Sequence, residues 1–199
     1  MLQKLLPKEM IFLELGFDGV FTFSASDFPK EIQYVRINGT ESNKYLFQKE
    51  HLWNIAAKMA HNQKLMFVDS DISPLTDVDW FGRVYDALDK CIFTQGFSTI
   101  TYLKEDGGKY VTKNGHVLMK ESYTHMMVKN MTPSTSVAVP GGVYCIKKQH
   151  LELIGGFNYL PFGGGDTLFW NEIAGLASNR TWVLTIHARK QVANIFSYL

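Results

Sequence analysis

The first half of the chain alternates short apolar runs with amphipathic segments. Residues 10–15 and 64–68 are apolar runs typical of buried strands, and residues 32–37 alternate polar and apolar positions as a half-buried strand does. A helix is predicted over about residues 42–60, and its apolar face would consist of Leu52, Ile55, Ala56 and Met59. A second helix is predicted after Pro74, where Thr76 and Asp79 have capping-box spacing, and its inward residues would be Phe81, Val84, Tyr85 and Leu88.

The second half predicts hairpins and then a return to helices. Residues 91–139 are strand-like, with turn signals at 107–108 and 114–115. A strand at 143–146 and a short helix at about 149–154 follow, and the paired glycines 155–156 would end that helix. A further helix should begin at Asp166, with Phe169, Ile173 and Ala177 inward, and a last strand should span residues 182–186. The pattern therefore predicts an α/β fold in which helices flank a mixed sheet.

Length, charge and composition exclude several classes of function and localisation. A length of 199 residues without a linker or repeat favours one domain, residues 1–199. A net charge of +1 without a basic stripe argues against nucleic acid, and no apolar run approaches the ~20 residues of a membrane span. Cys91 and Cys145 are too few for a disulfide framework, which favours a reducing, cytoplasmic location, although one bridge between them is compatible with the sequence.

Asp69, Ser70 and Asp71 directly follow the predicted buried strand 64–68. Ligands of open α/β sheets bind outside the carboxyl ends of strands. Two adjacent carboxylates repel each other unless a cation lies between them, and Mg²⁺ or Mn²⁺ prefers oxygen ligands while leaving positions open for phosphate. The segment predicts a metal and diphosphate site, the alternative being a loop with two solvated aspartates.

Asp166 opens a predicted helix after three glycines, residues 163–165. A carboxylate there could accept a proton from an attacking hydroxyl, whereas helix capping would explain the same residue without chemistry. His187 follows the last predicted strand and is a candidate metal ligand through a neutral imidazole. Lys49 lies on the helix before the Asp69 strand and is a candidate phosphate contact, and Trp170 could stack on a sugar, although a helical tryptophan is more often core.

Two segments carry a resemblance to a known family. Residues 54–74, with N-I-A-A-K-M-A and then L-M-F-V-D-S-D-I-S-P, resemble the central signature of family 2-type glycosyltransferases with the GT-A fold, a Rossmann-like mixed sheet. The resemblance implies a nucleotide-diphosphate sugar donor, which Asn54, Asp69, Ser70 and Asp71 would bind. It also implies Mn²⁺ or Mg²⁺ bound by Asp71, with Asp69 facing the ribose and reaching the metal through water.

The later segment resembles the G-G-E-D element of inverting GT-A enzymes. Residues 162–170 place Asp166 at the aspartate that acts as catalytic base, and Gly165 replaces the glutamate before it. The segment T-I-H-A-R is similar to the element that carries a third protein ligand to the metal, here His187. Glu14 resembles the family's acidic residue that hydrogen-bonds the nucleotide base.

The opening of the chain departs from this family, whose domains begin with a strand and helix that form half of the nucleotide pocket. Residues 1–7 resemble only the end of that helix, so either the N-terminus is truncated or the first strand is supplied otherwise. A missing edge of the nucleotide pocket would weaken donor binding and could make the protein inactive. The sequence predicts a metal-dependent hexosyl- or related transferase acting on an acceptor hydroxyl. The alternatives are a phosphotransferase of the haloacid dehalogenase type, with Asp69 as nucleophile, and a non-catalytic nucleotide-sugar-binding module.

Overall fold

The computed structural model describes residues 7–41, 44, 46, 48–74, 79–111, 113–131, 138–157 and 165–173. Its strands are β1 (Met10–Gly16), β2 (Ile32–Asn38), β3 (Lys64–Val68), β4 (Phe93–Gln95), β5 (Thr99–Thr101), β6 (Met119–Ser122), β7 (Ala138–Val139) and β8 (Val143–Lys147). Its helices are α1 (Lys49–Met59), α2 (Trp80–Lys90), α3 (Tyr123–Val128), α4 (Lys148–Leu153) and α5 (Gly165–Ile173). The predicted mixed α/β class is confirmed.

The strands of these ranges form three small sheets. β1 and β2 pair in parallel, β8 lies between β3 and β4 and is antiparallel to both, and β6 pairs antiparallel with β5 and parallel with β7. Parallel and antiparallel pairs therefore both occur, as predicted. The strands that the structure describes do not join into one continuous sheet.

The central strand β8 separates two apolar cores. Its residues alternate between the two faces of the sheet, as the pleat requires. Tyr144 and Ile146 belong to the larger core, which also contains Ala57 of α1, Leu151 of α4 and Trp170 of α5. Val143 and Cys145 belong to the smaller one, with Val84 and Leu88 of α2. Helices thus cover both faces of the β3–β8–β4 sheet, which explains why the apolar run of β8 is buried throughout.

Helix α1 differs from its prediction in start and in orientation. It begins at Lys49 rather than near residue 42, and its buried residues are Glu50 and Ala57, while Trp53 packs against the larger core. The four residues predicted to face inward, Leu52, Ile55, Ala56 and Met59, are only partly buried. The predicted face was wrong because the true one contains a glutamate, which an apolar pattern excludes.

Helix α2 confirms a predicted helix but corrects two details. Asp79 is its N-cap and accepts a hydrogen bond from the Gly82 amide at 2.9 Å, instead of serving as the third residue of a capping box; Thr76 lies outside the described residues. Tyr85 is 59% exposed, not inward. The Lys64 ammonium lies 3.3 Å from the centroid of its ring, so a cation–π contact holds the side chain on the surface.

The middle of the chain confirms the hairpins and adds a helix. Gly107 and Gly115 have φ values of +79° and +78°, and they turn the chain between the bridged pairs Leu103–Lys109 and Val111–Val117. Helix α3 was not predicted; the Ser122 hydroxyl accepts a hydrogen bond from the His125 amide at 3.0 Å and caps it.

Among the other predicted elements that lie in the described residues, strands β1, β2, β3 and β8 and helices α4 and α5 are confirmed. Cys91 and Cys145 are free thiols. In the ranges given above, no helix has the length and apolar character needed to cross a membrane. The predicted strand at 182–186, Ala177 and the side chain of Ile173 lie outside the described residues, as do residues 1–6.

Candidate functional site

Asp69 lies at the carboxyl end of β3, as predicted. Its amide donates a hydrogen bond to the Gly142 carbonyl at 2.9 Å, and its carbonyl accepts one from the Ile72 amide at 3.1 Å, so main-chain contacts fix the turn. Lys49, the first residue of α1, places its ammonium 3.2 Å from Asp69 Oδ1 and 3.3 Å from Oδ2. The helix that precedes β3 therefore places a positively charged side chain at the carboxyl end of this strand.

Asp166 lies beside the same lysine. It is in the first turn of α5, and its Oδ2 lies 3.7 Å from Lys49 Nζ. Its Oδ1 accepts a hydrogen bond from the Thr167 amide at 2.8 Å, and its Oδ2 lies so close to the Gly141 backbone that any side chain at 141 would collide with it. Asp69 and Asp166, which are far apart in sequence, thus share one ammonium group.

Glu50 is a member of this cluster that the sequence analysis missed. It is only 2% exposed, and neither carboxyl oxygen has a hydrogen-bond partner from another residue in the described part of the chain. Burial raises its pKa; its own backbone amide and the charge of Lys49 oppose this shift, and the charges of Asp166 and Asp69 add to it. The signal that could have revealed it is its spacing from Trp53 and Ala57, which places it on the inward face of α1.

The electrostatics of Asp69 reflect the crowding of acids. Burial raises its pKa; the charges of Asp71 and Asp166 raise it further, while Lys49 opposes them. Ser70 and Asp71 are exposed, so they face solvent at the mouth of the turn. Behind the cluster, the Tyr144 hydroxyl is buried.

Trp170 and Asn54, two further predicted residues, both contact the protein itself. Trp170 is core: it is 2% exposed, and its Nε1 donates to the Pro140 carbonyl at 2.6 Å. Asn54 Nδ2 donates to the Phe157 carbonyl at 2.9 Å, and Asn54 Oδ1 accepts from the Phe157 amide at 2.7 Å, so its carboxamide holds the chain after α4. Its contact with a donor stays a prediction.

Glu14 lies on β1, away from the strand that carries Asp69. Its carboxylate accepts hydrogen bonds from the Tyr34 hydroxyl and from the amides of Thr22 and Phe23. Burial alone would raise its pKa, but these hydrogen bonds outweigh it and lower the pKa. Glu14 therefore orders the loop between β1 and β2, and its contact with a nucleotide base stays a prediction.

The metal prediction rests on Asp69 and Asp71. His187 lies outside the described residues, and within the part of the chain that is described no group of three or more His, Cys, Asp or Glu is arranged to hold a metal ion. Asp69 and Asp71 carry hard oxygen donors two residues apart in the chain. The buried Asp69 Oδ1 accepts no hydrogen bond from the described residues and has the Lys49 ammonium 3.2 Å away as its ion-pair partner. These two residues fit a hard divalent cation as part of its ligand set.

Comparison with known protein families, with curated proteins and with solved structures found no match. The chemistry of the site must therefore be judged from its own residues. Lys49 can bind an anion, Asp69 and Asp71 can share a cation, and Asp166 can accept a proton, all at one edge of the β3–β8–β4 sheet.

Proposed function

We propose that this protein is a metal-dependent glycosyltransferase of the GT-A type, which moves a sugar from a nucleotide-diphosphate donor to an acceptor hydroxyl with inversion. One observation carries the proposal: Asp69 after β3 and Asp166 at the start of α5 meet at the ammonium group of Lys49. The resemblance to GT-A enzymes assigns Asp69 to the donor and Asp166 to the acceptor, and a transfer between the two substrates requires these residues to lie side by side.

The donor side of the site consists of Lys49, Asp69 and Asp71. The Lys49 ammonium attracts the donor's phosphates, and its contact with Asp69 keeps it at the end of β3. Asp71 and Asp69, with His187 as the predicted third ligand, would hold Mn²⁺ or Mg²⁺. When bound, that ion supplies positive charge to the departing nucleoside diphosphate.

The acceptor side is Asp166. Its Oδ1 accepts a hydrogen bond from the Thr167 amide, while its Oδ2 faces the Lys49 ammonium. That oxygen takes the proton of the acceptor hydroxyl as the hydroxyl oxygen bonds to the anomeric carbon. The bond from that carbon to the phosphate oxygen breaks on the opposite face, so the configuration inverts.

Replacing Asp166 and Asp71 separately tests these roles. Asp166→Asn should lower kcat for sugar transfer about 10²–10⁴-fold, the usual contribution of a general base, while donor binding persists. Asp71→Ala should abolish the Mn²⁺ stimulation of donor turnover. Asp86, an exposed aspartate of α2, supplies the matched control, and Asp86→Asn should leave both quantities unchanged. Near-normal transfer by Asp166→Asn would rule out the base assignment.

The same assays separate the alternatives. Release of phosphate from a phosphate ester, with no sugar released from a panel of nucleotide sugars, would indicate the phosphotransferase reaction with Asp69 as nucleophile. Tight donor binding without any turnover would indicate the binding module. Mn²⁺-dependent release of nucleoside diphosphate is the result we expect.

A further inference from the structure

Glu50 occupies the space that a side chain at position 165 would need. A Cβ atom added to Gly165 would lie 2.5 Å from Glu50 Oε1, 2.6 Å from Cδ and 3.1 Å from Cγ. Cβ contacts below 3.0 Å essentially never occur in real structures, so Glu50 would have to move. Because Glu50 is 2% exposed, the surrounding protein prevents its side chain from swinging into solvent. A side chain at position 165 would therefore require Glu50, or the residues packed around it, to shift.

Asp166 is consequently fixed from two sides. Its preceding residue lies against the Glu50 side chain, and its Oδ2 lies against the Gly141 backbone and faces Lys49. Lys49 and Glu50 are consecutive residues of the first turn of α1. One helical turn thus contacts both the backbone and the carboxylate at the start of α5.

The Glu50 carboxyl is unusual for a residue that only fills space. Both of its oxygens are buried, and no other residue of the described part of the chain hydrogen-bonds to them, an arrangement that destabilises a fold compared with an apolar side chain of similar size. Local departures from good packing chemistry concentrate at functional sites. The position of Glu50 beside Asp166 agrees with that tendency.

We propose that Glu50 is a positioning residue for Asp166: it fills the space next to Gly165 and holds the start of α5 so that the Asp166 carboxylate stays beside Lys49. This inference rests on the proposed function, in which Asp166 accepts the acceptor's proton. In this proposal Glu50 acts through the position of Asp166 and not by binding the donor or the acceptor.

Substitutions at position 50 test the positioning role. Glu50→Ala should lower kcat for transfer roughly 10–100-fold, because a displacement of about 1 Å is enough for such a loss, and the donor KM should stay within about twofold. Glu50→Gln keeps the shape and should keep kcat within about threefold. Glu152→Ala, at an exposed glutamate of α4, is the control. An unchanged kcat in Glu50→Ala, or a change confined to donor KM, would overturn the inference.

A double-substitution cycle tests the contact between Glu50 and position 165 through thermal stability alone, without measuring sugar transfer. Gly165→Ala should lower the melting temperature in the wild-type background, because its methyl group meets Glu50, and should lower it much less in the Glu50→Ala background. Equal effects in the two backgrounds would overturn the inference. A wild-type protein that transfers no sugar would instead count against the proposed function, and the cycle would still decide whether Glu50 controls position 165.

Discussion

At Lys49, a single ammonium group faces the carboxylates of Asp69 and Asp166. Removing it leaves two half-buried acids without their shared counter-charge and takes a cation away from the predicted diphosphate position. Lys49→Ala should therefore raise the donor KM about 10–100-fold, as expected for loss of a charged contact to phosphate. Steady-state transfer kinetics check this, with Lys58→Ala, an exposed lysine of α1, as control. An unchanged donor KM would place the phosphates elsewhere.

Asn54 is a second single residue with a measurable effect. Its carboxamide makes two hydrogen bonds with the main chain of Phe157, whose side chain is 5% exposed in the larger core. Asn54→Ala would leave those main-chain groups unpaired, so the free energy of unfolding should fall by about 1–3 kcal/mol. Urea denaturation measures the loss. A midpoint equal to that of the wild type would mean that water replaces the carboxamide at no cost.

Sequence patterns could identify some of the site's residues but not all. Asp69 and Asp166 were predictable because each stands at the end of a strand or the start of a helix, where side chains face ligands. The spacing of Glu50 from Trp53 and Ala57 indicates the inward face of α1, but its proposed role arises from a contact with Gly165, which is distant in sequence. Local patterns carry no information about such contacts.

Among the helices, α2 offers the clearest test of a local stabilising device. Asp79 accepts a hydrogen bond from the Gly82 amide, which otherwise lacks a partner within the helix. Asp79→Ala should cost about 0.5–2 kcal/mol of stability, as other losses of an N-cap do. Thermal or urea unfolding measures it, and Asp86→Ala, within the same helix, is the matched control. Equal stabilities for the two variants would show that the cap contributes nothing.

Elements were predictable where apolar runs coincide with burial. Strand β8 is the clearest case, since its apolar residues 143–146 are buried on both faces. Helix α3 was missed because its tyrosine, threonine and valine favour strands by composition, whereas the Ser122 cap and the burial of Tyr123 and Met126 select a helix. Tertiary packing overrode local propensity there.

Across the whole molecule, acidic side chains with lowered pKa values and those with raised pKa values change the pH dependence of stability in opposite directions. Burial alone would raise the pKa of Glu9, but hydrogen bonds from His61 and Asn62 outweigh it and lower the pKa from 4.5 to about 2. These bonds join the residue before β1 to the segment between α1 and β3. Burial raises the pKa values of Glu50 and Asp69, so their contribution to stability is greater at low pH than at neutral pH.

The lowered pKa of Glu9 predicts a specific pH dependence. Its stabilising contribution is fully present above pH 4.5, where the unfolded group is ionised, and is lost as the pH falls toward 2. Glu9→Gln should therefore be less stable than the wild type at neutral pH, and the difference should shrink through this window. Urea midpoints across the range measure it, and a constant difference would contradict the assignment.

The contact between Glu50 and Gly165 has an evolutionary consequence. Two positions that compete for one volume cannot both hold large side chains, so chains related to this one should vary at them together. Where the residue before the α5 aspartate carries a side chain of its own, the first turn of α1 should carry a smaller residue in place of the glutamate.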